Sequence, residues 1–329
     1  LWNTNLANRL SRYAREINPK TYIVFGGPEI DKERSDDKIF FQKYSHADML
    51  IEGEGELAFM QLIKIYLEEG RDSKKVRLRI NELGNCFYIN EQHQFVSGPR
   101  LSRIKHLNDV PSPYLTGLFD HFLEDDIYQP LLQTNRGCPF KCSFCHTGAD
   151  YFQKVHMFSI ERVKAELEYI GIHAYKQKNS ILHIADVNFG MFPRDKQICK
   201  MLSDLKNKYN WPLTICGTTG KNNKERIIEA TSILGDSYSI GMAIQSMDEK
   251  VLDNINRSNI KLDHFTAIND HLKKSGRNTV TELIIGLPGE TKDSFTNGLR
   301  DLIDAETDRL TIYTLMMLYG TEFKDPEYR

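Results

Sequence analysis

Three cysteines stand close together within residues 134–145, near the middle of the chain. Three residues separate Cys138 from Cys142, and two separate Cys142 from Cys145. Cysteine thiolates are soft ligands that suit iron–sulfur clusters, zinc or copper(I). Four-iron clusters and structural zinc sites usually have four protein ligands, whereas this loop provides three. The spacing therefore predicts a [4Fe–4S] cluster in which one iron is open to another ligand.

Two other interpretations of the cysteine loop stay open. The three thiols can cluster without binding anything, because a motif match is a hypothesis that needs structural context. The loop can also hold zinc, with His146 as the fourth ligand. The neighbours Cys145 and His146 fit poorly around one tetrahedral ion, so the cluster is the favoured prediction.

Composition narrows the class of protein. The 329 residues include 43 Lys and Arg against 45 Asp and Glu, a formal net charge of −2. This balance indicates neither a nucleic-acid groove nor a membrane surface. No apolar stretch reaches the roughly 20 residues that a membrane-spanning helix needs. The six cysteines lack a paired extracellular pattern, so we expect a reducing compartment and a cytoplasmic protein.

The elements that must position the cysteines follow a regular pattern. An apolar run, 130–132, leads directly into the cysteine loop and predicts a buried strand. From there the chain alternates between strand and helix patterns. The predicted strands are 131–134, 181–185, 213–216, 239–244, 280–285 and 311–318. The predicted helices are 160–175, 195–207, 224–233, 248–256, 262–274 and 291–305. Six such units predict a parallel barrel or partial barrel, whose active site lies at the carboxyl ends of its strands.

The amino-terminal part has a different organisation. A helix ending near residue 18, strands at 21–25 and 48–51, and a following helix predict part of a doubly wound α/β domain. A β-hairpin is predicted at 86–96, and a linker with two close prolines follows it. The chain opens inside a helix pattern without a methionine, so we expect a fragment of a longer protein.

The CxxxCxxC spacing, with the aromatic Phe144 before its last cysteine, resembles the signature of the radical S-adenosylmethionine (SAM) superfamily. A strand followed by Gly-Leu-Pro-Gly-Glu-Thr at 286–291 resembles the fifth-strand turn of the same superfamily. The resemblance implies an enzyme in which the open iron binds SAM. One electron then cleaves SAM to methionine and a 5′-deoxyadenosyl radical, which abstracts hydrogen from the substrate. An external one-electron reductant of the flavodoxin or ferredoxin type is also implied.

The resemblance further implies which residues contact SAM. Asp186, with Asn188 as the second choice, is expected to accept a hydrogen bond from its amino group. Arg257 is expected to pair with its carboxylate, since guanidinium offers a bidentate geometry. Two plainer interpretations stay open: Asp186 can cap a turn, and Arg257 can be a solvated cation at a helix end.

The nucleoside part of SAM is expected at two further strand ends. Gln245 and Ser246 follow the fourth strand and are expected near the ribose hydroxyls. The backbone of Ile285, Gly286 and Leu287 is expected along the adenine. Segment 217–222 leaves room for a ligand but does not match a phosphate loop. No general base stands out among the ten histidines, so the catalytic residues are not identified.

Two glycine-containing segments resemble the second half of a cobalamin-binding Rossmann-like domain. They are Gly-Gly-Pro-Glu at 26–29 and Ile-Glu-Gly-Glu-Gly-Glu at 51–56. If this chain binds cobalamin, the resemblance places Gly26, Gly27, Gly53 and Glu54 near it. The reaction is then a cobalamin-dependent methyl transfer. The expected fragment lacks the first half of that domain and the carboxyl-terminal segment.

The sequence thus predicts an α/β chain with three parts. Residues 1–75 form a partial Rossmann-like, cobalamin-binding-type domain, and 76–126 form a hairpin and proline-containing linker. Residues 127–329 form the radical SAM core, a partial (β/α)6 TIM-like barrel. The substrate, a small molecule or a peptide, is not identified. The alternative is a non-catalytic iron–sulfur electron-transfer or structural zinc-binding protein, although neither role needs the nucleoside pocket that the strand ends indicate.

Overall fold

The structure is a computed structural model that describes residues 3–31, 34, 37–219, 224–257, 262–274 and 279–324. The chain divides into two compact units, Leu1–Lys105 and His106–Arg329. Within the described ranges, no helix is both long enough and apolar enough to cross a membrane. The predicted assignment of the chain to a cobalamin-type domain, a linker and a core stays a prediction.

The first unit is built on a mixed sheet with the order β1-β2-β3-β4 in its described part. Strand β1 pairs parallel with β2, whereas β3 and β4 form an antiparallel hairpin beside β2. The hairpin that the sequence predicts therefore extends this sheet. The strands are β1 (Val24–Gly26), β2 (Met49–Ile51), β3 (Cys86–Ile89) and β4 (Phe95–Ser97). The helices are α1 (Thr4–Ile17), α2 (Lys38–Tyr44), α3 (Glu56–Glu68) and α4 (Ser73–Leu78).

Alternation along β2 explains how the first unit buries its sheet. Leu50 packs with Phe40 and Phe87 on one face, while Met49 and Ile51 pack on the other face. Successive side chains of a strand point to opposite faces, so an uninterrupted apolar strand requires cover on both sides. Helix α2 contributes to the first cluster and α3 to the second.

The second unit is an α/β partial barrel. Its described strands form one parallel sheet of six, ordered β12-β11-β10-β9-β8-β5. These strands are β5 (Leu131–Leu132), β8 (Ile181–Ile184), β9 (Thr214–Thr218), β10 (Tyr238–Gln245), β11 (Thr279–Ile285) and β12 (Arg309–Thr314). The predicted α/β fold class with a partial barrel is confirmed.

Helices connect these strands as the sequence pattern predicts. They are α6 (Ile160–Ala174), α7 (Asp195–Tyr209), α8 (Lys224–Leu234), α9 (Glu249–Asn254), α10 (Leu262–Lys274) and α11 (Lys292–Asp304). A short helix that the sequence does not predict, α5 (Asp120–Leu123), precedes β5. Right-handed crossovers of this kind bring the carboxyl ends of parallel strands to one edge of the sheet. The polar segments that follow β5, β8, β10 and β11 therefore meet at that edge.

The prediction of where the last strand ends is wrong. The apolar run 315–318 predicts that β12 continues as a buried strand, but β12 ends at Thr314. Met316 and Met317 are 63% and 41% exposed. Hydrophobicity alone cannot distinguish a short apolar run in a strand from one in an irregular segment.

Candidate functional site

The cysteine loop is closed at its base by a small ribbon that the sequence does not predict. Strands β6 (Asn135–Arg136) and β7 (His156–Met157) pair antiparallel, so the two ends of the loop meet. Gly137 follows β6 with φ 114°, a conformation that favours glycine. A Cβ atom there would lie 2.6 Å from the carbonyl oxygen of Phe152. Glycine at this position therefore allows the backbone to turn from β6 into the cysteine loop without a clash.

The middle of the loop is anchored to the segment that follows α9. The backbone N–H of Ser143 donates to the carbonyl of Ile255 at 3.0 Å. The Asn256 amide donates to the Ser143 hydroxyl at 2.9 Å. Phe144 packs against an apolar cluster that includes Ile255 and Leu287. Phe144, which the sequence predicts as a cofactor contact, thus also anchors the loop to the end of β11.

Packing within the loop leaves little room near its second cysteine. The N–H of Cys145 donates to the carbonyl of Cys142, and the N–H of Gly148 donates to the carbonyl of Cys145. A Cβ atom at Gly148 would lie 2.4 Å from the carbonyl oxygen of Cys142. The tight turn therefore requires glycine at 148, a constraint that the cysteine spacing alone does not reveal.

A buried guanidinium lies beside the cysteine loop, with Arg257 Nη1 3.8 Å from Cys142 Sγ. Cys138 and Cys142 are each 3% exposed, Cys145 is half-buried, and Arg257 is 5% exposed. Burial lowers the pKa of Arg257, while the thiols of Cys142, Cys145 and Cys138 act in the opposite direction. The guanidinium also donates to the carbonyl of Ala243. This cation can offset negative charge that gathers on the thiolates.

The thiols do not converge on a single point. In the described part of the chain, no three His, Cys, Asp or Glu side chains are placed to hold one metal ion. The His146 ring packs against Phe152, with ring centroids 5.0 Å apart. In a four-iron cluster each cysteine binds a different iron, so its three ligands need not meet at one atom. The donor set fits a cluster better than a single zinc ion.

Asp186 holds the segment that leads into the loop. Its Oδ1 accepts from the backbone N–H groups of Thr134 at 2.7 Å and Asn135 at 3.2 Å. Its Oδ2 accepts from the Thr134 hydroxyl and, at 2.8 Å, from the Asn135 amide. Burial raises the pKa of the Asp186 carboxyl, and the hydrogen bonds from Thr134 and Asn135 act in the opposite direction. All four acceptor positions of the carboxylate are therefore in use, and its predicted role at the SAM amino group stays a prediction.

One acceptor atom of Asn188 is not used by the part of the chain that the structure describes. Its Nδ2 donates to the Sγ atom of Cys138 at 3.3 Å, and the side chain is 3% exposed. Its Oδ1 is buried and has no hydrogen-bond partner among the residues that the structure describes. A buried acceptor without a partner costs about 1–3 kcal/mol, so such an atom marks a position for a ligand or water.

Gln245 lies at the end of β10 in an unusual conformation. Its φ is 71°, and the pairing of β10 with β11 shifts between Ala243 and Gln245. Its Oε1 is buried and, in the described ranges, lacks a hydrogen-bond partner. Bulges and left-handed backbone are common beside functional sites, where they redirect a side chain. The geometry presents an amide group at the predicted ribose position.

The turn after β11 matches its sequence prediction. The N–H of Glu290 donates to the carbonyl of Leu287 at 3.0 Å, and Gly289 has φ 80°. With Pro288 in the second position, these features define a type II turn. The Glu290 carboxylate accepts from the N–H of Gly286 at 2.9 Å and from the Ser246 hydroxyl at 3.4 Å. Glu290, which the sequence does not single out as a site residue, therefore connects two of the predicted SAM positions.

The predicted adenine segment is open on one side. Ile285 is 42% exposed and Gly286 is exposed, whereas Leu287 is buried at 3%. Strand β9 ends at Thr218, and the hydroxyl of the next residue, Thr219, donates to the carbonyl of Gly241. The rest of the predicted ligand segment, 220–222, lies outside the described residues.

In the first unit, the predicted cobalamin residues follow two neighbouring parallel strands. Gly26 lies opposite Ile51 in the β1–β2 pairing, so the loops after both strands share one edge. Gly27 has φ 99° and Gly53 has φ 71°, which favours glycine at both positions. Ligands of α/β sheets bind at such an edge.

Glu54 lies in the second of these loops. Its carboxylate accepts from the N–H of Ile104 at 2.8 Å and pairs with Arg103 at 3.2 Å. Its carboxylate therefore already binds another segment of the same unit. The glycines fit an approach of a ligand to the backbone, and the role of all four residues stays a prediction.

Comparison with known proteins identifies the family. The Radical SAM superfamily profile matches residues 132–302, just over half of the chain, and includes the cysteine loop, β8, β10 and β11. The chain belongs to the radical SAM superfamily. Members of this superfamily are enzymes that use SAM and a [4Fe–4S] cluster, as the sequence resemblance implies.

Two curated relatives of this radical SAM chain are methyltransferases by name. The cobalamin-dependent radical SAM methyltransferase TokK of Streptomyces tokunonensis is 31% identical, with 99% of this chain and 47% of that protein aligned. The 2-(S-pantetheinyl)-carbapenam-3-carboxylate methyltransferase of Streptantibioticus cattleyicolor is 29% identical, with the same two coverages. The chain spans about half the length of these curated relatives.

A solved structure confirms the fold of the radical SAM chain. The radical SAM methyltransferase TsrM of Kitasatospora setae, solved with tryptophan and a SAM analogue, matches with a TM-score of 0.71. The match covers 98% of this chain and 60% of TsrM at 13% sequence identity. At this level of identity the likeness concerns the fold alone.

Proposed function

We propose that this chain is the cluster-binding and SAM-binding part of a radical SAM methyltransferase. Cys138, Cys142 and Cys145 hold three irons of a [4Fe–4S] cluster, and the fourth iron is open to SAM. When bound, this cluster supplies the electron that cleaves SAM to methionine and a 5′-deoxyadenosyl radical. The observation that carries the proposal is the buried guanidinium of Arg257 beside the cysteine loop, 3.8 Å from Cys142 Sγ, in a chain with the superfamily profile.

The residues at the strand ends orient SAM in this proposal. Asn188 Oδ1 accepts from the amino group, since it is buried and has no partner in the described part of the chain. Asp186, the first choice from the sequence, instead positions the loop. Arg257 pairs with the carboxylate and keeps the negative charge of SAM and the thiolates balanced. Hydrogen bonds from a buried cation are strongest when their acceptors are charged and held in place.

The nucleoside lies against the ends of β10 and β11 in the same proposal. Gln245 Oε1, the second buried amide oxygen without a partner among the described residues, accepts from a ribose hydroxyl. Ser246 helps to hold this edge through Glu290. The exposed backbone at Ile285 and Gly286 accommodates the adenine, while Leu287 anchors the segment in the apolar cluster.

Methyl transfer is the finer part of the proposal. Support comes from the names of the two curated relatives, both of which are methyltransferases. Cobalamin, when bound, would supply methyl-transfer chemistry. Gly26, Gly27, Gly53 and Glu54 are the proposed contacts of this chain. The proposed partners are a small-molecule substrate and an external one-electron reductant.

Anaerobic reconstitution with iron and sulfide tests the radical SAM part. The purified chain is expected to bind about four irons and to release 5′-deoxyadenosine when dithionite and SAM are added. A Cys142→Ser variant is expected to lose both properties. Cys199→Ser is the matched control, because Cys199 is fully buried in α7 and burial raises its thiol pKa to about 12. One zinc per chain, or a cluster whose spectrum ignores SAM, would refute the proposal and favour the non-catalytic alternative.

A labelled methyl group tests the transfer step. SAM carrying a 14C-methyl group is supplied with cobalamin and reductant, and 2-(S-pantetheinyl)-carbapenam-3-carboxylate is the first substrate to assay, since one relative is named for it. Label in a small-molecule product supports a methyltransferase. Release of 5′-deoxyadenosine without label transfer to any compound of this class would refute the methyltransferase assignment and retain the radical SAM chemistry.

A further inference from the structure

Each thiol of the cysteine loop contacts a polar side chain. Cys138 Sγ accepts from Asn188 Nδ2 at 3.3 Å, and Cys145 Sγ lies 3.1 Å from Thr147 Oγ1. Cys142 Sγ lies 3.8 Å from Arg257 Nη1. When the cysteines are thiolates, all three of these side chains are donors, because a thiolate can only accept. The three sulfurs are thus hydrogen-bonded by three different segments of the unit.

Asn188 differs from the other two donors. Thr147 belongs to the loop itself and is half-buried, so it moves with its cysteine. Arg257 is charged and also donates to Ala243. Asn188 is neutral, 3% exposed, and follows β8, whose connection to the loop is fixed by Asp186. It is thus a neutral, buried donor that lies outside the loop.

A fixed donor to a cluster sulfur changes the energy of the reduced state. Reduction adds one electron, and part of the added negative charge lies on the sulfurs. A hydrogen-bond donor stabilises the more negative state more strongly, and hydrogen bonds to the sulfurs are among the factors that set cluster potentials. Low exposure strengthens this effect, since water does not screen the bond.

We propose that Asn188 is a positioning residue that sets the reduction potential of the cluster through its hydrogen bond to the Cys138 thiolate. This inference rests on the proposed function, because it requires a cluster on the three cysteines. The amide then has two separate functions. Nδ2 acts on the cluster ligand whether or not SAM is bound, and Oδ1 is left for the cofactor.

A redox titration without SAM tests the first of these functions alone. The reconstituted chain is reduced stepwise in the presence of mediator dyes, and the reduced cluster is followed by electron paramagnetic resonance. Asn188→Leu removes the donor at nearly constant side-chain shape. We expect the equilibrium constant for reduction of its cluster to fall about tenfold, which lowers the midpoint potential by about 59 mV for one electron. Asn188→Ser, whose side chain is too short to reach the sulfur, is expected to shift the potential in the same direction.

Asn269→Leu is the matched control. Asn269 is also fully buried, donates through Nδ2 to the carbonyl of Ala305, and has an Oδ1 atom without a partner in the described ranges. It lies on α10, so its loss is expected to affect stability and to leave the potential unchanged. A shift as large as that of Asn188→Leu would show a general effect of destabilisation and overturn the inference.

The outcomes separate this inference from the proposed function. If the unmodified chain binds no cluster, the proposed function fails. If it binds one, and both Asn188 variants keep its iron content and its potential, the inference fails alone. If both variants lose the cluster while Asn269→Leu retains it, Asn188 serves assembly, and its assignment to the potential is overturned.

Discussion

Replacing Asp186 by asparagine changes one acceptor atom in the contact between β8 and the segment before the cysteine loop. The carboxylate now accepts four hydrogen bonds from Thr134 and Asn135. In its better orientation, asparagine keeps its carbonyl oxygen toward the two backbone N–H groups. Its amide group then faces the Thr134 hydroxyl, which can rotate to accept, and the Nδ2 group of Asn135, which can only donate.

The magnitude follows from that remaining conflict. Hydrogen bonds to charged groups contribute roughly 1.5–3 kcal/mol, and a buried donor left without an acceptor costs a similar amount. Relief of the buried negative charge offsets part of this loss, because burial raises the pKa of Asp186. We therefore expect Asp186→Asn to lower the free energy of unfolding by about 3 kcal/mol. The loop is then less ordered, so the iron content after reconstitution is expected to fall as well.

Urea unfolding measures the loss directly. Trp211 is fully buried in the second unit, and its fluorescence reports on that unit when Trp2 is replaced by phenylalanine. Asp195→Asn is the matched control. Asp195 accepts two backbone N–H groups through Oδ2 alone, and its Oδ1 has no partner among the described residues, so asparagine keeps both bonds. This control is expected to be as stable as the unmodified chain at pH 7, or more stable.

The alternative role of Asp186 has a different signature. If its carboxylate accepts from the SAM amino group, Asp186→Asn leaves stability and iron content unchanged and raises the KM for SAM. That combination would refute the positioning role. A loss of stability and iron content in the absence of SAM, with no loss in Asp195→Asn, supports it.

Three further predictions use the same measurements. Burial raises the pKa of Asp195 from 3.8 to about 6, so the contribution of this group to stability is fully present below pH 4 and is lost, by about 3 kcal/mol, as the pH rises through 6. Asp195→Asn is expected to flatten that dependence, and an unchanged urea midpoint profile would contradict the burial argument. Gly137→Ala places a Cβ atom 2.6 Å from the Phe152 carbonyl, so we expect iron content to fall; full iron content would show that the loop can adjust. Phe144→Ala removes a half-buried ring from its contact with the Leu287 cluster, which is expected to cost about 2 kcal/mol in urea unfolding. No loss of stability would show that the hydrogen bond from Ser143 to Ile255 is sufficient to hold the loop.

The parallel sheet could be predicted because the residue pattern that determines each strand and helix lies within that element. Strands β8 to β11 are short apolar runs between turn residues, and helices such as α6 have apolar side chains at helical spacing. The type II turn at 287–290 was also predictable, since proline and glycine fix its backbone angles locally. In each case the residues that determine the element lie within it.

The contacts of the site could not be predicted in the same way. The partners of Asp186 lie 52 residues earlier, at Thr134, and nothing in either segment indicates that they meet. Helix α3 shows a related limit of sequence patterns, because its apolar residues Phe59 and Met60 are 48% and 61% exposed. Its buried side chains are Ala58, Leu62 and Ile65, a narrower stripe than its composition indicates. Which apolar side chains are covered depends on neighbours that periodicity does not identify.

The ribbon of β6 and β7 affects the conformation of the cysteine loop when no cluster is bound. Because the ribbon joins the two ends of the loop, the chain entropy of closing 137–155 is already lost before iron arrives. The bond from Ser143 to Ile255 fixes the middle of the loop in the same way. Oxidative loss of a bound cluster would then leave a loop whose base and middle are still held. We expect such a site to be repaired by fresh iron and sulfide in place, without a cycle of unfolding and refolding.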